Sequence, residues 1–383
     1  VQSSSWQRVK LVIEQALACP PATRSAFIAS ACGNDEEILT EVASLIELAD
    51  EAADEFLETP AELPPPAAQP QRIGQRFGPY RILRQLGRGG MGEVYLAVRE
   101  DALQPQQREH AVLKMPRHDL DTPAMRRRLE HEGRLLGRLH HPGIASLRGT
   151  GVARTLPYLM LEHVDGIAID AWCRHAALDP FERIDLILAL CDAVAHAHER
   201  GVAHRDIKAA NVLVTPEGQP KLLDFGIAQA LHDAGSAGRP EAGFEAEAGS
   251  VFSGECAAPE QVRNQPPRRS TDVYGLAALT YRLLTGHLPH DSSTHTTMID
   301  TMRAICHHDP LLASVRVLQG EDTAEPGLPP PPALAALLRG ELDLLLSTAL
   351  ARDPAMRPQD VPSYAKALRH RRDGLAAAPR RAA

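Results

Sequence analysis

The 383-residue chain lacks any run of about 18 apolar residues, so no segment of it reads as a helix that could cross a bilayer. It lacks a CxxC pair as well. Cys19, Cys32, Cys173, Cys191, Cys256 and Cys306 stand far apart, which argues against a zinc site or a disulfide framework and fits a reducing, cytoplasmic compartment. Positive charge is not in excess, and a net charge of -8 speaks against a nucleic-acid partner. The acidity is concentrated: residues 1–62 hold twelve Asp and Glu against Arg8, Lys10 and Arg24, and the remainder is near neutral. Leu17-Ala18-Cys19 has the look of a lipoprotein cleavage site, but Glu14 and Gln15 interrupt the apolar run that a leader needs. A first residue of Val rather than Met suggests that residues ahead of it have been lost.

Trp6, Val9, Ile13, Ala16 and Leu17 recur at helical spacing up to Pro20-Pro21, and a second helical run covers 22–31. Asn34 with Glu37 makes a capping-box-like start for a third helix carrying Ile38, Val42, Leu45, Ile46 and Ala49. Residues 1–62 therefore predict an acidic helical unit without chemistry of its own, and residues 63–78 a stiff proline-rich linker. Short β-like runs follow, Tyr80 to Leu86 and Glu93 to Val98, joined by Gly87-Arg88-Gly89-Gly90-Met91-Gly92. Gly87, Gly89 and Gly92 let backbone N–H groups approach phosphates without interference from a Cβ. The same spacing can open a dinucleotide-binding helix, but the residues after Gly92 are strand-like, so a strand-loop-strand flap is expected.

The centre of the chain is His204-Arg205-Asp206-Ile207-Lys208-Ala209-Ala210-Asn211, with Asp224-Phe225-Gly226 beyond the hairpin strands Val212 to Val214 and Lys221 to Leu223. Asp206, Asn211 and Asp224 can then converge on one metal-bound phosphate. With these motifs in register, the sequence resembles the protein kinases of the bacterial eukaryotic-like Ser/Thr type over roughly residues 79–370. The resemblance implies an α+β, two-lobed protein kinase fold preceded by the small helical N-terminal unit. Its β-rich N-lobe would span 79–161, the hinge 162–166 and the helical C-lobe 167–370, with a basic tail over 371–383. It also implies ATP as phosphoryl donor, Mg2+ with Mn2+ as the alternative ion, and a protein substrate offering Ser or Thr. A homodimer is compatible with it.

Carried onto this chain, the resemblance gives each residue a role. Asp206 would accept or orient the substrate hydroxyl proton, Lys208 would offset charge on the γ-phosphate, and Asn211 and Asp224 would hold the metal. Ala111-Val112-Leu113-Lys114 is similar to the third-strand lysine motif, and the helical run Met125 to Leu139 supplies Glu132 as the partner of Lys114, with Glu130 the competing candidate. Val94, Val112 and Leu213 would line the adenine, which the backbone of Glu162 and Val164 would bind, with Leu161 gating the back of the pocket. A helix over Glu182 to Gly201 would deliver the chain to the catalytic loop, Asp272 would hold that loop's backbone, and Arg357 would pair with Glu260.

Departures from the family pattern are Val112 for a small Ala, Ala209 for Pro, Ser253 for Thr and Cys256 for Tyr. No Thr lies between Asp224 and Glu260, so activating phosphorylation there would use Ser236, Ser250 or Ser253. Ser250 is preferred, its phosphate clamped by Arg205; Glu245 or Glu247 could instead supply a permanent charge. Gln319 to Pro332 reads as a surface insertion. The alternative reading is a pseudokinase scaffold, supported by Val112, Cys256 and the Thr-free segment.

Overall fold

The computed structural model describes residues 72–377 except 90–91, 102–108, 118–121, 226–228, 231–255, 264, 267, 291–297 and 320–324, together with a few residues between 27 and 42. The chain divides into two compact units, Val1–Gln69 with Gly243–Val251, and Pro70–Ala242 with Phe252–Ala383. In the first, residues 27–28, 31–32, 39 and 42 are helical, and Ile28, Cys32 and Val42 are buried. The expected helix over 6–18, most of the third helix and the proline run 63–70 lie outside the described residues.

The second unit opens with β1 (Arg76–Phe77), β2 (Tyr80–Gly89), β3 (Gly92–Arg99), β4 (His110–Met115), β5 (Leu147–Ala153) and β6 (Leu156–Glu162). They form one antiparallel sheet in the order β1-β2-β3-β4-β6-β5. Alternation along the strands gives the sheet two faces. Tyr95, Ala97, Leu113, Met115 and Tyr158 close a small core on one of them. The cross-strand pair Val94 and Lys114 stands on the other. β2 and β3 meet at the glycine-rich stretch, Gly89 pairing with Gly92, so the expected flap is a tight hairpin.

Between β4 and β5 lies α1 (Pro123–Leu136). Thr122 caps it, its Oγ1 accepting the Met125 N–H at 3.2 Å, and Pro123 fills a first-turn position where no N–H is required. The helix therefore starts and stops earlier than the expected Met125 to Leu139. Beyond the sheet come β7 (Ile167–Ala168), α2 (Ile169–His175), α3 (Pro180–Glu199), β8 (Val202–Ala203), β9 (Val212–Val214), β10 (Pro220–Leu222) and β11 (Gln229–Ala230). Helices α4 (Pro259–Val262), α5 (Arg269–Thr285), α6 (Met298–His307), α7 (Ala313–Gln319), α8 (Pro331–Leu338), α9 (Glu341–Ala349) and α10 (Val361–Ala377) follow.

A capping box starts α3: the Asp179 carboxylate accepts the N–H groups of Phe181 and Glu182, and the Glu182 carboxylate accepts that of Asp179, all at 2.8–2.9 Å. α5 is buried along nearly its whole length and ends at Gly286, whose φ of 76° is the left-handed conformation that glycine adopts without strain. Ile187, Leu190 and Val194 of α3, Leu276 and Leu279 of α5, and Tyr364 and Leu368 of α10 share one core that reaches Leu129 and Leu136 of α1. Cys173 and Cys191 lie in it as free thiols. Burial pushes both thiols up, that of Cys173 to about 11. No helix among the described residues is long and apolar enough to cross a membrane.

The segment expected as a surface insertion is held more firmly than that. Arg183, 1% exposed at the start of α3, donates to Leu283 O, to the Glu325 carboxylate and to Pro326 O, each at 2.7 Å. Gly327 then passes so close to the backbone of Ala177 that a Cβ there would lie 2.3 Å from it. A buried guanidinium needs acceptors, and this segment supplies two of them.

Candidate active site

Asp272, buried on α5, organises the loop after β8. Its carboxylate accepts the backbone N–H of His204 at 2.8 Å and of Arg205 at 2.7 Å, and meets His198 Nε2 at 2.7 Å. Burial alone would raise its pKa, but these partners prevail and hold it below the usual aspartate value. The loop they hold is strained, with Arg205 at φ 70°, and Gln261 Nε2 fastens Arg205 O at 2.7 Å. His204 is fixed by both ring nitrogens: Nδ1 accepts from Asp206 N at 3.2 Å, and Nε2 donates to Leu223 O at 2.8 Å. Its ring packs on Phe225 with centroids 4.5 Å apart.

These contacts bring the charged candidates together. Lys208 Nζ lies 2.9 Å from Asp206 Oδ2, and Asn211 Nδ2 donates to the same oxygen at 2.7 Å and to Asp206 O at 2.8 Å. Leu223 N, one residue before Asp224, donates to Asn211 O at 2.8 Å. Asp224 itself adopts a left-handed conformation, φ 51°, and its Oδ1 accepts from Lys114 Nζ at 2.6 Å. Glu132 on α1 accepts from the same Nζ at 2.8 Å and is buried, whereas Glu130 is exposed, which decides between the two glutamates. Burial by itself would lower the Lys114 ammonium, but Asp224 and Glu132 more than offset it and hold it above the ordinary lysine range. Burial and the neighbouring Asp224 charge push Glu132 up, against the pull of Lys114.

Around these charges, Val94, Val112 and Leu213 are each half-buried while their strand neighbours are buried. That is the pattern of side chains lining an open cleft. Val164 is buried. At the glycine-rich stretch a Cβ on Gly92 would meet Met115 O at 2.6 Å, so close packing requires that glycine; around Gly87 the space is open. Gly226, Ser236, Glu245, Glu247, Ser250 and Ser253 lie outside the described residues.

Two features were not anticipated. Arg128 stands one helical turn before Glu132, and its positive charge acts on Arg205 with the effect of lowering it, though less than burial does and against the pull of Asp272. The i, i+4 spacing to Glu132 was the available signal. In the second, the Glu162 carboxylate takes Lys221 Nζ at 2.5 Å and the Ser146 N–H and hydroxyl at 3.1 Å. Those three residues are too far apart in sequence to be matched by spacing.

The donors near Asp206 fit a hard cation. With its Nδ2 committed, Asn211 has an amide oxygen to offer and Asp224 a carboxylate, and oxygen is what Mg2+ selects. Among the described residues no three His, Cys, Asp or Glu side chains could hold a metal by themselves.

The sequence profile of the protein kinase domain matches residues 80–371. The serine/threonine-protein kinase PknB of Mycolicibacterium smegmatis is 32% identical over 296 residues, 76% of this chain and 42% of that protein. PknB of Mycobacterium tuberculosis H37Rv is 31% identical over 286 residues, 73% of this chain and 41% of that one. The serine/threonine-protein kinase PknH of the same strain is 33% identical over 238 residues, 61% and 36%. The chain thus spans about two fifths of the length of the curated relatives it matches.

Proposed function

Because the chain belongs to the protein kinase family, of the bacterial eukaryotic-like Ser/Thr type, we propose that it transfers the γ-phosphoryl group of ATP to Ser or Thr hydroxyls of proteins, itself included. The observation that carries this is a pair of charged clusters, Lys114 with Asp224 and Glu132 at 2.6 and 2.8 Å and Asp206 with Asn211 and Lys208 at 2.7 and 2.9 Å, linked by the backbone bond from Leu223 N to Asn211 O. Membership of the family implies ATP and a divalent metal; Mg2+, or Mn2+ in its place, would neutralise charge on the transferring oxygens.

The chain's own residues do the rest. Lys114, kept protonated by Glu132, presents a fixed positive charge to the α and β phosphates. Asp224 and Asn211 would hold the divalent metal through their side-chain oxygens. Asp206, positioned by Asn211 and Lys208, orients the substrate hydroxyl in line and takes its proton. Gly87, Gly89 and Gly92 close the flap over the phosphates and exclude water. Val94, Val112 and Leu213 enclose the adenine, and with its carboxylate held by Lys221 and Ser146, Glu162 offers adenine its backbone, as does Val164. The cytoplasm, which supplies ATP and keeps thiols reduced, is the compartment that fits.

The test is incubation of the purified chain with Mg-ATP and a generic protein substrate, beside Asp206→Asn and Lys114→Met. Wild-type phosphoserine or phosphothreonine, falling at least about a hundredfold in both variants while they remain folded, is expected. Either variant turning over at the wild-type rate would overturn the assignment. Ser250 is the site we propose for activating phosphorylation, the added charge being the one that Arg205 beside Asp206 would answer. Ser250→Ala should then lower the rate about tenfold or more, and full activity with an unmodified segment would favour Glu245 or Glu247 as the built-in charge.

A further inference from the structure

The first described residue of the second unit carries a buried charge that the reaction scheme above does not use. Arg72 is 6% exposed and follows the proline-rich stretch. Its Nη1 donates to Pro116 O at 3.2 Å and lies 3.3 Å from Glu93 Oε2. Glu93, itself buried, also accepts the Tyr95 hydroxyl at 2.8 Å and faces Arg88 Nε at 3.8 Å. Burial first, then the hydrogen bond to Glu93 and its charge, push the Tyr95 hydroxyl up to about 12, so it remains a donor across the working range of pH.

The positions of these groups define what the cluster controls. Glu93 is the residue after Gly92, where the glycine-rich stretch ends, and Arg88 is within that stretch. Pro116 lies just past the end of β4, two residues after Lys114, and Val94 is the cross-strand partner of Lys114. The backbone at Arg72 is tied to β2, because Gln75 N bonds to Arg72 O, Ile82 N to Gln75 O and Gly74 N to Ile82 O, at 2.9–3.0 Å. Arg72 therefore connects the three strands that carry the flap and Lys114, its guanidinium reaching β3 and the end of β4 and its backbone tied to β2, from the face opposite the cleft.

We propose that Arg72 is a positioning residue for nucleotide binding, one that fixes the glycine-rich flap at a set height above Lys114 by holding Glu93 and Pro116 O together. The proposal rests on the reading of this cleft as an ATP site. Stability does not account for the arrangement: Arg72 Nη2 is buried without a hydrogen-bond partner among the described residues. A buried ion pair left incompletely satisfied stabilises no better than apolar packing of the same volume. Its contribution is geometric.

Two variants of the full chain separate position from stability. Arg72→Met combined with Glu93→Gln removes the pair without stranding a charge, and Arg72→Lys keeps the charge but loses the planar fork. For the double variant, the Kd for Mg-ATP by titration calorimetry and the KM for ATP should both rise about tenfold, with kcat within about twofold. Its thermal midpoint should stay within a few degrees of wild type, and Arg72→Lys should fall between the two. An unchanged Kd in the double variant overturns the proposal, as does a fallen midpoint with kcat reduced and Kd unaltered. A wild-type chain that binds Mg-ATP but transfers nothing would sink the kinase reading instead, and the Kd comparison would still decide the role of Arg72.

Discussion

Asp272 holds two backbone N–H groups and a histidine without itself facing the cleft, so its charge bears on stability before it bears on catalysis. Its pKa is depressed in the folded chain. The stabilisation it gives is therefore fully present above the unfolded aspartate value of about 3.9 and is lost as pH falls towards the lower folded value. Asp272→Asn should cost about 2–4 kcal/mol at neutral pH, and the gap from wild type should narrow below about pH 4. Urea unfolding at neutral and acid pH measures both; a gap independent of pH would show that the carboxylate is not what holds the loop. The pairing of Lys114 with Glu132 and of Asp206 with Lys208 was legible because their spacing to other motifs is fixed in the family pattern. His198 was not: it reaches Asp272 across 74 positions, and only the packing of α3 on α5 brings them together. Arg72 was hidden for another reason, since it falls in what composition marks as linker and its partners Glu93 and Pro116 are unremarkable strand residues.

Among elements, α3 shows where local signals succeed and fail. Its apolar pattern predicted a helix, but the start was placed at Glu182, although Asp179 with Glu182 three positions later is itself a cap signal. The tether at its N-terminal end could not be read at all, because Arg183 finds Glu325 and Pro326 more than 140 positions away. Arg183→Met strands the Leu283 and Pro326 carbonyls together with a partly buried carboxylate, and should destabilise the chain by about 3–5 kcal/mol. Glu325→Gln keeps a hydrogen bond while removing the charge and should cost about 1 kcal/mol. Urea midpoints at constant m-value check the order, and equal losses would mean that the ion pair rather than the carbonyl contacts anchors the segment.

At the scale of the whole chain, the acidic residues 1–62 are proposed to recruit or regulate rather than catalyse. Their deletion should leave phosphorylation of a generic substrate within a few-fold, whereas a folded but inactive fragment would contradict a modular chain. The two-lobed architecture was legible because its motifs follow one another in a fixed order; the course of 325–332 was not, because proline and acid residues say nothing about which buried group will receive them. The cysteines that composition set aside as neither zinc ligands nor disulfides have a use after all. Cys173 and Cys191 lie at the centre of the helical core, 0% and 1% exposed, with thiols that burial keeps protonated. An alkylating reagent at neutral pH must wait for that core to open, so the rate of modification at these two positions is a clock for opening of the larger lobe, read by mass spectrometry. Saturating nucleotide should slow that clock, and by how much reports the share of its binding energy that is directed to holding the lobe shut.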